Sequence, residues 1–102
     1  MFSFPRPDKK RPVLILTRQD MIGRLETVTV APITSTIRGV PSEVVVGPES
    51  GLKQASVVNL HHVATVPRNG LRSFVGTVSV PTMDRVRDAL MFALGFMGPS
   101  TR

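Results

Sequence analysis

Short apolar runs separated by proline and glycine fill most of the chain, and their spacing reads as strands until residue 80 and as a helix after it. Val13-Leu14-Ile15-Leu16, closed by Thr17-Arg18, is aliphatic throughout, as a buried central strand is. Thr27-Val28-Thr29-Val30-Ala31-Pro32-Ile33 alternates polar and apolar residues, which predicts a strand with one wet face. Pro32 inside it predicts a sheet edge or a bulge near its end. Glu43-Val44-Val45-Val46 stops at Gly47-Pro48, Ser56-Val57-Val58-Asn59-Leu60 forms another short run, and Arg72 to Val80 a longer one with Gly76 as a kink or bulge. From Pro81, placed as first helical residue, Met83, Val86, Leu90, Ala93, Leu94 and Met97 recur at helical spacing. Gly95 and Gly98-Pro99 then supply stop signals. Five or six short strands and one C-terminal α-helix make a mainly β fold, a bent sheet or partly open barrel. Its edges favour dimerisation.

Composition narrows the chemistry. With 102 residues, the expectation is one small domain over residues 1–102. Cysteine is absent, which removes disulfides, thiolate metal sites and cysteine catalysis, and two histidines are too few for a multi-histidine metal site. The seven acids are scattered, so carboxylate-bound metal chemistry is disfavoured and neither a metal nor another cofactor is expected. The net charge is +6, and ten of the 13 cations are Arg, whose planar fork suits phosphate and carboxylate. A polyanionic partner is favoured, either nucleic acid or an acidic protein, while solubility alone also accounts for such a charge. No signal peptide or membrane-length apolar run stands out, so a soluble cytoplasmic protein that engages no membrane is the expectation.

Three places concentrate donors. Arg6-Pro7-Asp8-Lys9-Lys10-Arg11-Pro12 is a basic turn that sets Arg11 at a strand entrance. Ile33-Thr34-Ser35-Thr36-Ile37-Arg38-Gly39 places three hydroxyls, a cation and a glycine at a strand end. Such a turn can bind phosphate, and it can equally cap its own backbone. His61 and His62 are candidates for proton transfer or base reading. In a strand they would point to opposite faces and serve no common site, and a partly buried structural role is the commoner one.

Lys10-Arg11-Pro12-Val13-Leu14-Ile15-Leu16 followed by Val30-Ala31-Pro32-Ile33-Thr34-Ser35-Thr36-Ile37-Arg38-Gly39 resembles the MazF/PemK family of toxin endoribonucleases. Pro41-Ser42-Glu43-Val44, Gly51-Leu52, Ser56-Val57-Val58, Val75-Gly76-Thr77-Val78-Ser79, Thr82-Met83 and Ala89-Leu90 extend the resemblance over almost the whole chain. It implies a small SH3-like, CcdB/PemK-type barrel, partly open, with a C-terminal helix, working as a homodimer. It also implies metal-independent, sequence-specific cleavage of single-stranded RNA, and a cognate antitoxin whose flexible C-terminal segment blocks the site. The family's catalytic Arg and Thr correspond to Arg11 and Thr34. The chain departs from the family in its short opening, Phe2-Ser3-Phe4, in a compressed Pro5–Lys10 loop, and in carrying His61 and His62 where relatives often have an acid and Gln.

The mechanism so implied is attack of the RNA 2′-OH on the adjacent phosphorus, leaving a 2′,3′-cyclic phosphate and a 5′-OH. Arg11 would stabilise charge on the phosphate and Thr34 would hold it in register. Lys9, Lys10 and Arg38 would follow the RNA backbone, while Ser35 and Thr36 would contact sugar or base edges. The alternative is a non-catalytic toxin or RNA-binding module on the same fold, such as a CcdB-like gyrase inhibitor.

Overall fold

The structure is a computed structural model in which residues 2–7 and 12–96 are described, with backbone alone for residues 2–7 and 72–75. The strands are β1 (Phe2–Pro7), β2 (Val13–Ile15), β3 (Thr27–Thr34), β4 (Glu43–Val46), β5 (Ser56–Asn59), β6 (Ala64–Pro67) and β7 (Leu71–Val78). The helices are a single turn, α1 (Gln19–Ile22), and the long α2 (Val80–Ala93). Every pairing is antiparallel: β1 with β7 in one sheet, and β2-β3-β5-β4 in the other with β6 also on β3. The pairing does not close on itself, which gives the partly open barrel that the strand pattern predicts.

Strand β3 organises the second sheet. One edge pairs with β2 through Val30–Pro32, and the other pairs first with β6 through Thr27–Val30 and then with β5 through Ile33–Thr34. Thr29 C=O accepts from Leu16 N–H, and Ile33 N–H donates to Pro12 C=O, so odd-numbered residues of β3 turn their backbone groups toward β2. The nitrogen of Pro32 therefore faces the other edge, at the step between β6 and β5 where no ladder partner waits. Pro32 is thus tolerated in a central strand, not at an edge as its sequence context suggests, because its missing donor falls where none is needed.

The expectation of a wet face on β3 also gives way. Val28 and Val30 belong to a small cluster with Val13, over which Ile15, Ile22, Val66 and Leu71 pack. Ala31 and Ile33 point to the opposite face, into the main core with Leu14, Val44, Val46, Val58, Leu60, Val78, Val86 and Ala89. The strand is covered on both sides because α1 and β6, two elements without a strong sequence pattern, close the second face. Ala64–Pro67 is short, mostly exposed and ends in proline, which hides it from periodicity.

Strand β1 runs to Pro7, beyond the Phe2-Ser3-Phe4 opening. Its register against β7 shifts between Phe4 and Pro5 and again between Arg6 and Pro7, so both prolines stand at irregularities. The first shift skips Val75, beside the glycine expected to mark a bulge.

Helix α2 begins at Val80, one residue earlier than expected, with Pro81 in its second position. The Ser79 hydroxyl accepts from Thr82 N–H at 3.3 Å and lies 3.1 Å from the Thr82 hydroxyl. The helix stops at Ala93, earlier than the apolar pattern implies. Phe96 N–H donates to Met91 C=O and Gly95 N–H to Phe92 C=O, while Gly95 takes φ +82°. That pair of bonds is the left-handed glycine stop, and it sets the helix end ahead of Met97, which lies outside the described residues. Val86 and Ala89 are its buried anchors in the main core. No helix among the described residues is long and apolar enough to cross a membrane.

Ser79→Ala removes the cap and is expected to cost about 1 kcal/mol. For a chain of this size the melting temperature should fall by roughly 4–8 °C. Ser79→Asp, which restores an acceptor, should recover most of it; equal melting of all three proteins in a thermal scan would show that the cap contributes nothing.

Candidate functional site

The end of β3 and three loops around it build the candidate site. Thr34, half-buried, is the last residue of β3 and shares a face with Pro32. Its hydroxyl oxygen accepts from Thr36 N–H at 3.1 Å, so the hydroxyl run does cap its own turn. The cap also fixes the threonine Oγ at the rim, where two recesses meet.

The first recess, of about 280 Å³, is lined by Pro12, Thr34, Ser35, Lys53, Gln54 and Ser56, among others. The second, of about 240 Å³, is lined by Pro32, Thr34, Thr36, Arg38, Asn59 and His62. Both are smaller than the ~300–1,000 Å³ that encloses a whole small molecule, and suit one phosphate or one base of a longer ligand. Thr34 thus stands between two small polar recesses. Ser35 joins one, while Thr36 and Arg38 join the other.

The sequence reading missed Lys53, Asn59 and Glu43. Lys53 adds a cation to the first recess; a lone lysine in a Gly-Leu-Lys-Gln turn carries no signal until the fold brings it beside Thr34. Glu43 acts from behind the hydroxyl loop. Its carboxylate accepts from Arg38 N–H at 3.1 and 3.3 Å and from Gly39 N–H at 2.9 Å. Gly39 has φ +76°, a left-handed turn that aligns consecutive N–H groups on one acceptor. Glu43 is paired across the ladder with Asn59, so one rung supports both walls of the second recess.

The histidines correct the strand-based expectation. They lie in a 3-10 turn, Leu60–His62, and their ring centroids are 4.7 Å apart in an edge-to-face contact at 67°. Both residues are exposed rather than partly buried. The His61 Nδ1 lies 2.6 Å from the hydroxyl of Ser42, which is itself buried. The His62 Nδ1 lies 3.3 Å from the Asn59 side-chain nitrogen, and only His62 of the two lines the recess with Thr34. Lys9, Lys10 and Arg11 lie outside the described residues.

Arg38 and Lys53 take part in no ion pair among the described residues. The pairs that do form, Arg18 with Asp20 and Arg87 with Asp84 and Asp88, are exposed, so each contributes about 0–1 kcal/mol. Away from Thr34, a broader groove of about 540 Å³ runs between β4 and α2, with Val45 and Phe92 among its lining. It is mainly apolar and offers no set of converging donors. This groove is a contact surface in character, not a phosphate site.

The model of a family described as PemK-like, MazF-like toxin of type II toxin–antitoxin systems matches residues 4–94. The chain belongs to that family. Endoribonuclease MazF3 of Mycobacterium tuberculosis (strain ATCC 25618 / H37Rv) is 53% identical over 60 residues, 59% of this chain and 58% of that protein. The chain thus aligns with a little over half the length of that relative. A probable endoribonuclease, MazF5 of Mycobacterium tuberculosis (strain ATCC 25618 / H37Rv), is 40% identical over 86 residues, 83% of this chain and 79% of its own length. Among solved structures, an endoribonuclease in complex with its cognate antitoxin from Mycobacterial species is 28% identical with TM-score 0.84, covering 95% of each chain. PemK/MazF membership accounts for the order of strands, for the terminal helix and for the match across both recess-forming loops.

Glu43→Ala should free the Arg38 and Gly39 amides, at a cost of about 1 kcal/mol for an exposed charged acceptor. Their hydrogen exchange should then quicken roughly fivefold, while the amides of β3 keep their protection. Unchanged exchange at residues 38 and 39 would show that the carboxylate does not hold the loop.

Proposed function

We propose that this chain is the toxin of a type II toxin–antitoxin system and an endoribonuclease that cleaves single-stranded RNA at Thr34 and Arg11, inhibiting translation and growth. The observation that carries the reading is Thr34 at the rim of two adjoining polar recesses, with Lys53 in one and Arg38 in the other. A phosphate at Thr34 has room on either side for its neighbouring nucleotides, and the two cations flank the path of the backbone. Family membership and relatives named endoribonucleases support the same assignment.

The reaction proceeds without metal. The RNA 2′-oxygen bonds to phosphorus and its proton passes to water. The P–O5′ bond breaks, and the departing 5′-oxygen takes up a proton, leaving a 2′,3′-cyclic phosphate and a 5′-OH. Arg11, which immediately precedes Pro12 of the first recess, supplies fixed positive charge to the phosphate. Its guanidinium stays protonated in water, so its part is electrostatic stabilisation and hydrogen-bond donation to the phosphate, not proton abstraction. Thr34 holds a non-bridging oxygen. Lys9, Lys10 and Arg38 grip the backbone, giving affinity that falls with salt, and Ser35 and Thr36 meet sugar or base edges.

The chain works as a homodimer, and a cognate antitoxin silences it by laying a flexible C-terminal segment over the site. The net charge of +6 supports an acidic partner, and the exposed Val45, Phe92, Leu94 and Phe96 provide apolar surface for protein contacts. The solved relative held in complex with its cognate antitoxin supports the pairing.

Arg11→Ala and Thr34→Ala are each expected to slow cleavage of a mixed RNA by roughly 100-fold or more, as loss of a charge-stabilising donor does. Assays in excess EDTA, with end analysis for 5′-OH and cyclic phosphate, make the comparison. Folded variants that cut as fast as the parent would sink the site assignment, and loss of the parent's activity in EDTA would sink the metal-free chemistry.

A further inference from the structure

The second recess holds more than a phosphate grip requires. Its cation, Arg38, sits in the loop after β3. With it stand a flat apolar wall, Pro32, and two further polar side chains, Asn59 and His62. The reason Pro32 faces His62 lies in the fold. Strands β5 and β6 both pair with β3 and are interrupted opposite Ala31–Pro32, and the chain between them is the turn that carries the histidines.

Asn59 fixes the polarity of His62. Asn59 is buried, and its Oδ1 accepts from His61 N–H at 3.1 Å. With that oxygen committed, its Nδ2 is the atom at 3.3 Å from His62 Nδ1, and an amide nitrogen only donates. A ring nitrogen that accepts carries no proton, so the neutral imidazole holds its proton on Nε2, the end away from Asn59. His61 is tied differently, through Nδ1 to the buried Ser42, and does not line the recess.

We propose that His62 reads one nucleobase of the RNA by donating its Nε2–H to an acceptor on the base edge, with Asn59 as the positioning residue that sets the ring. The inference rests on the reading of this chain as a ribonuclease acting at Thr34. The favoured base presents a carbonyl oxygen or an unprotonated ring nitrogen to the recess, and a base presenting an amino group there is rejected, because it leaves two donors facing each other. Recognition of this kind needs an unpaired base whose edge is free, as in single-stranded RNA. His61 stays a structural anchor of the turn, and neither ring moves a proton in the reaction.

The test uses the parent, His62→Ala and His62→Gln on an RNA pool of random sequence in EDTA, with cut sites mapped by sequencing the new 5′-OH ends. The parent should prefer one class of base at a position next to the cut. In His62→Ala the ratio between preferred and disfavoured bases at that position should fall roughly tenfold, with other positions unaltered. His62→Gln, whose amide supplies a donor, should keep part of the preference. Asn59→Ala, checked for folding by circular dichroism, should relax the same position and no other. An unchanged preference in His62→Ala overturns the proposal. Equal slowing at every sequence with unchanged preference also overturns it, by assigning His62 to proton transfer. If the parent cuts no RNA, the ribonuclease reading falls first and the His62 reading with it.

Discussion

The exchange of partners along one edge of β3 is the constraint on which the rest of the structure depends. That edge pairs with β6 up to Val30 and with β5 from Ile33. Only this register leaves the nitrogen of Pro32 at a point where no donor is required. A one-residue slip would also swap Val28 and Val30 with Ala31 and Ile33 between two separate apolar clusters. Backbone and side chains therefore specify the same alignment. Thr34, two residues beyond the proline, inherits a fixed position from it.

The interrupted pairing also explains how a small chain assembles two recesses from few residues. A continuous strand opposite β3 would fill the space beside Pro32 with ladder. The Leu60–His62 turn leaves a notch there instead, roofed by the loop that follows Thr34. Ser42, Glu43 and Asn59 stiffen that notch from behind: Ser42 anchors His61, Glu43 gathers the Arg38 and Gly39 amides, and Asn59 holds both histidines. These three do their work by hydrogen bonding to neighbours, and among the described residues no buried side-chain polar atom lacks a partner. Loops braced in this way lose little entropy when a ligand settles between them.

Much of the fold was legible in the sequence because short β-branched runs bounded by proline and glycine leave little choice. Val13–Ile15, Glu43–Val46 and Ser56–Asn59 lie where the pattern puts them. What escaped was decided by tertiary contact. Ala64–Pro67 is a strand only because β3 offers it an edge, and α1 is one turn long, too short for a period. The two-sided burial of β3 needed a cover that alternation alone does not reveal. Within the site, Thr34, Thr36 and Arg38 were legible as a polar cluster at a strand end. Lys53, Glu43 and Asn59 were not: Lys53 and Asn59 are remote from that cluster in sequence and enter it through packing, while Glu43, four residues past Gly39, reaches back to it through a left-handed turn. The chemistry of the histidines is legible in the sequence but their geometry is not, as a strand separates neighbouring side chains and the 3-10 turn here brings the two rings together.

Charge and selectivity fall to different groups in this arrangement. A net charge of +6 draws any polyanion, and guanidinium and ammonium groups grip phosphate whatever base it carries. Such contacts serve an RNA backbone and an acidic protein tail equally well, so the cations alone cannot choose a cutting sequence or tell substrate from inhibitor. Discrimination has to come from groups whose interaction changes sign with the partner atom. Neutral donors and acceptors held in one orientation meet that condition, since a donor facing a donor is penalised while a donor facing an acceptor is not. The amide of Asn59 and the ring of His62 are such groups, and part-buried hydrogen bonds within the turn orient them. On the proposal for His62, sequence preference falls to the Asn59–His62 pair beside Pro32, and the cations, Arg38 of the same recess among them, set how tightly, not where, the RNA is held.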